Sequence, residues 1–87
     1  MSDHSRTKDE LYVMRLYEIV NQSGDDDIIL DRYTVGKSVS LSPKAVNTIC
    51  ALLIRANFIK KATDGDLPNG IRLTSQGRRL AQTLEAE

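Results

Sequence analysis

"RYTVGKSVSLSPKAVNTICALLIRANFIKK" (residues 32–61) is the stretch whose reading decides the fold. It holds six basic residues and no acid, in an 87-residue chain whose formal net charge is zero. Its centre is a start signal. Ser42 suits the N-cap of a helix, and Pro43 suits the first helical position, where a missing amide hydrogen costs nothing. From Pro43 to about Ala56 the spacing predicts a helix, with Val46, Ile49, Cys50 and Leu53 recurring on one face. Lys44, Asn47, Thr48, Ala51 and Arg55 fall on or beside the opposite face.

Working outward, "SLS" (40–42) reads as a tight turn. Before it, 31–39 reads as a short helix capped by Asp31, with Tyr33, Val35, Gly36 and Val39 as an uneven inner face. Thr34, Val35 and Gly36 are weak helix formers, so packing must hold that segment together. After the long helix, "NFIKKA" (57–62) reads as a strand. "TDGDLPNG" (63–70) is rich in turn formers, and "IRL" (71–73) alternates as a half-buried strand does. The two strands predict a hairpin with a long tip.

Helices are expected at both ends. Residues 7–22 carry an apolar band of Leu11, Met14, Leu16, Tyr17, Ile19 and Val20, and Thr7 with Glu10 matches a capping box. Gly24 suits the left-handed position that ends such a helix. Asp25, Asp26 and Asp27 lack the fixed spacing and closing glutamate of a calcium loop and read as a solvated turn. "IIL" (28–30) reads as a short strand or the lead into the next helix. Thr74 is placed to cap a last helix, "SQGRRLAQTLEAE", with Leu80, Ala81 and Leu84 as its stripe.

The length supports one small domain, here residues 7–87 behind a flexible tail of 1–6, and the 40% hydrophobic content is ordinary for a globular chain. The apolar runs are too short to span a membrane, and the polar start does not match a signal peptide, which points to the cytoplasm. The charge is segregated. Residues 1–31 hold eight acids and three bases, and residues 62–87 hold four acids and three bases. The acid-free segment between them could meet a polyanion with one face, although clustering by chance gives the same pattern.

Catalysis needs converging groups. The only histidine, His4, lies in the polar tail, and Cys50 falls on an inner helix face where thiols behave as small hydrophobes. No metal-ligand spacing or glycine-rich phosphate loop is present, so no enzyme, metal or cofactor is expected.

The stretch "YTVGKSVSLSPKAVNTICALLIRANFIKKA", followed by "GIRLTSQGRRLA", resembles the winged helix-turn-helix family of DNA-binding proteins. The resemblance implies a mainly α fold with a small β-hairpin wing, in the order α-(short β)-α-α-β-β-α. It also implies a transcriptional regulator that binds duplex DNA sequence-specifically. Helix 43–56 would enter the major groove and the wing, 57–73, would lie on the backbone.

On that reading Lys44, Asn47 and Thr48 are the candidates for base edges. Lys37, Ser40, Ser42, Arg55, Lys60 and Arg72 are the candidates for backbone phosphate. Ser42 is equally well explained as a cap, and Lys44 as a solubilising charge. Asp64 and Asp66 at the wing tip would repel phosphate. A homodimer would double the contacts, and its expected surfaces are the first and last helices, with Tyr12, Leu80 and Leu84. The alternative is a winged helix that contacts a protein partner through the acidic 25–31 surface or the last helix, since a fold does not fix a function.

Overall fold

The computed structural model describes residues 6–62 and 67–86. Its elements run α1 (Lys8–Ser23), β1 (Leu30–Asp31), α2 (Arg32–Ser38), α3 (Pro43–Arg55), β2 (Ile59–Lys61), β3 (Gly70–Leu73) and α4 (Ser75–Ala86). This is a small, mostly helical domain with a short antiparallel hairpin wing, in the expected order. The strands form one antiparallel sheet in the order β1-β3-β2. The tail residues 1–5, with His4, and the tip residues Asp64 and Asp66 lie outside the described residues.

Local chemistry sets the helix boundaries. Thr7 and Glu10 form the capping box of α1, and Gly24 ends it in the left-handed region at φ 73°. The Asp31 carboxylate accepts from the Tyr33 amide, and the Ser42 hydroxyl oxygen accepts from the Ala45 amide ahead of Pro43. Asn57 does not belong to a strand, as the sequence suggested. It takes φ 65°, and the amides of Asn57 and Phe58 donate back to the carbonyls of Ile54 and Leu53. This pair of bonds is the Schellman closure of a helix, and asparagine tolerates the left-handed position it requires. The Thr74 hydroxyl oxygen accepts from the Gly77 amide and caps α4.

Thirteen side chains form the buried cluster at the centre. α3 contributes Val46, Ile49, Cys50 and Leu53, as its periodicity predicts. α1 differs from its sequence reading. Tyr12 and Val13 are fully covered with Leu16 and Val20, whereas Leu11 is 41% exposed. The buried stripe is rotated because α1 must meet α2, α3, β3 and α4 at once. Tyr12 fits inside because its hydroxyl donates to the Arg32 carbonyl at 2.8 Å and accepts from the Cys50 thiol at 3.5 Å.

The expected subunit surface is therefore corrected. Tyr12 is 0% and Leu84 4% exposed. Both serve the domain's own core, where α1 packs on α4, and only Leu80 of the three keeps part of its surface.

Candidate nucleic-acid interface

α3 is held at a fixed angle by its neighbour. A Cβ on Gly36 of α2 would lie 2.2 Å from Val46 Cγ2, so the two helices meet closer than any side chain at 36 allows. The link between them runs Val39-Ser40-Leu41-Ser42, with Ser40 at φ 62°. The Ser40 and Leu41 amides donate back to the Lys37 and Gly36 carbonyls. The buried stripe of α3 fixes its other side outward. Lys44, Asn47, Thr48, Ala51, Leu52 and Arg55 are all exposed. At 100° per residue Lys44, Thr48, Ala51 and Arg55 form one row, with Asn47 on its flank.

The candidate base readers are differently free. The Tyr33 hydroxyl donates to Asn47 Oδ1 at 2.6 Å, so Asn47 is steadied from α2. The Thr48 hydroxyl donates to the Lys44 carbonyl one turn back at 3.3 Å. Lys44 extends from the first turn. Ser42 is exposed and engaged as the cap, Ser40 is exposed in the linking turn, and Lys37 is exposed on the last turn of α2.

The register of the wing separates the basic residues proposed for it. Ile59 pairs with Leu73, Lys60 with Arg72, and Lys61 with Ile71. Ile59, Ile71 and Leu73 are buried toward the helices, so Lys60 and Arg72 share the outer face of the sheet. The Arg72 Nε donates to the Asp27 carbonyl at 3.3 Å, which draws it toward the segment before β1. Lys61, on the inner-face register, overhangs the edge beside α3. Strand alternation thus puts Arg72, a candidate for backbone phosphate, on the outer face of the sheet with Lys60 and away from Lys61.

Two basic residues absent from the sequence-based set, Arg32 and Lys61, line a groove beside α3. The groove, of ≈ 410 Å³, lies between α3, the start of α2 and β2, lined by Arg32, Asn47, Ala51, Ile54, Arg55 and Lys61. Arg32 arrives there because β1 pairs with β3 and the Arg32 amide donates to the Asn69 carbonyl. Its only signal in the sequence was its place in the acid-free stretch.

Burial pushes the Tyr12 hydroxyl far above its usual range. Burial likewise raises the Cys50 thiol, although the hydrogen bond to Tyr12 acts the other way. Cys50 is thus a neutral core thiol without the depressed pKa of a nucleophile. Among the described residues no three His, Cys, Asp or Glu side chains gather to hold a metal ion, and no helix is long and apolar enough to cross a membrane. Comparison with protein-family models, curated proteins and solved structures found no significant match.

Proposed function

We propose that the chain is a winged helix-turn-helix protein that binds duplex DNA sequence-specifically, as a small transcriptional regulator. α3 enters the major groove, and the hairpin follows the backbone. The observation that carries this reading is the row on α3. Lys44, Thr48 and Arg55 stand on an exposed face around the small Ala51, with Leu52 at its edge. Among the described residues Lys44, Arg55, Lys37 and Lys61 have no carboxylate partner. Such cations gain from counterion release when they meet phosphate. Lys44 can serve guanine and Asn47 adenine. A homodimer would double these contacts at half-sites one helical turn apart, or multiples of it, and would have to use surface such as Leu80.

Fluorescence anisotropy of a labelled duplex, titrated at several salt concentrations, tests the reading. The expected result is binding that weakens steeply with salt. A second reading, contact with a protein partner, is favoured by the large apolar side chains exposed among the described residues, Leu52 at 50%, Leu11 at 41% and Leu67 at 38%. No binding at low salt would reject the first reading in favour of the second.

A further inference from the structure

The groove beside α3 concentrates like charge without compensation. Arg32, Arg55 and Lys61 reach it from α2, α3 and β2, and no carboxylate lines it. None of the three has an ion-pair partner among the described residues. Arg32 also carries an internal donor without a partner, since its Nε is shielded from solvent and makes no hydrogen bond, so the end of its guanidinium is the part that can meet a ligand in the groove. A buried donor left unpaired is costly, and more so on a cation. The nearest acid in the chain, Asp31, uses its carboxylate to cap α2. Ala51 and Ile54 line the same groove, and their apolar surface lowers the local dielectric and strengthens the field. Asn47 adds an amide at the rim. Two guanidiniums, one ammonium and an amide in one groove match a tetrahedral oxyanion with several acceptor oxygens.

We propose that this groove is a phosphate pocket in which Arg32 is the principal ligand, with Arg55 and Lys61 closing on the same group. The assignment deepens the DNA-binding reading, since a strand tracked by α3 and the wing would place one backbone phosphate there. The same chemistry would accept free phosphate.

The test is an amide chemical-shift titration of the full chain with inorganic phosphate, matched against chloride at equal ionic strength, then repeated with a short duplex. Shifts should be confined to residues around Arg32, Asn47, Ala51, Arg55 and Lys61. Arg32→Gln should weaken phosphate binding about tenfold, the loss expected for a charge-assisted hydrogen bond. Lys61→Gln should weaken it less, and a native-like spectrum of either variant confirms that its fold survives. Phosphate shifts that merely match those of chloride, or that persist unchanged in both variants, overturn the pocket, even where the duplex still binds elsewhere on α3. Displacement of phosphate by the duplex identifies the strand as its source. Phosphate binding with no duplex binding keeps the pocket, as a site for free phosphate, and removes the DNA-binding reading.

Discussion

The Tyr33 hydroxyl hydrogen-bonds Asn47 Oδ1 at 2.6 Å, so α2 holds a side chain on α3. The amide is oriented before any ligand arrives, which lowers the cost of ordering it on binding. Tyr33→Phe should leave stability within about 1 kcal/mol, because an exposed hydrogen bond contributes little net. On the DNA-binding reading it should shift relative affinities among duplex sequences severalfold, in the same positions as Asn47→Ala. The salt slope should not move. Sequence preferences unchanged in both variants would remove Asn47 from base recognition.

Gly36 and Val46 set the distance between those helices. Alanine at an open helical site would gain about 1 kcal/mol over glycine in propensity. Here its Cβ would stand 2.2 Å from Val46 Cγ2, and overpacking costs about 1–3 kcal/mol, so the sign should be destabilising. Val46→Ala alone should cost about 2 kcal/mol through the cavity it leaves. The double variant should lose clearly less than the two combined, since each change relieves the other. Urea unfolding of the four proteins checks this, and simple additivity would mean the contact is not strained by the new methyl group.

Gly77→Ala should be worse than Gly36→Ala. Its Cβ would lie 2.0 Å from the Phe58 carbonyl oxygen, a backbone atom that also accepts from the Thr74 amide. A side chain can turn aside, but this carbonyl cannot move without opening the link between β2 and α4. A loss of about 3 kcal/mol or more is expected, measured as the fall in thermal midpoint against Gly36→Ala. An equal or smaller fall would show that α4 shifts freely.

These glycine contacts mark the boundary of what was legible in the sequence. Thr7 with Glu10, Asp31, Ser42 with Pro43, and Thr74 announce four helix starts, because capping chemistry is local. The stripe of α3 was legible for the same reason. By contrast, α1 offers two overlapping apolar faces, and only the positions of four neighbours select Tyr12 over Leu11 for burial. The wing was ambiguous in a sharper way. A one-residue change of register exchanges Lys60 and Lys61 between faces, and no local rule fixes it. Arg32 and Lys61 meet only through the pairing of β1 and β2 with β3, which no spacing in the chain encodes.

The Tyr12–Cys50 pair gives the fold an alkaline limit. Both groups have folded pKa values raised above their unfolded ones by burial. Their stabilisation is therefore complete below the unfolded values, about 8.5 for cysteine and about 10 for tyrosine, and is lost as pH rises above them. Stability should hold from pH 7 to about 8.5 and then fall, by at most about 1.4 kcal/mol per pH unit for each group. Cys50→Ala should abolish the first part of that fall. Urea midpoints between about pH 7 and 10 measure it, and a flat profile in the parent protein would contradict the buried neutral thiol.

The faces of the wing separate the charge variants into two groups. Lys44, Arg55 and Lys61 lie on or beside the exposed side of α3, whereas Lys60 and Arg72 share the far face of the sheet. A duplex engaged by α3 should release fewer ions when the first group is truncated. Lys44→Ala, Arg55→Ala and Lys61→Ala should each weaken binding and reduce the slope of log affinity against log salt by about 1. Lys60→Ala should change neither much. Arg72→Ala should act mainly on stability, because its guanidinium ties β3 to the Asp27 carbonyl. The reverse ranking, with Lys60 and Arg72 dominating the slope, would mean that nucleic acid lies across the outer face of the sheet, and that α3 is not the element that enters the groove.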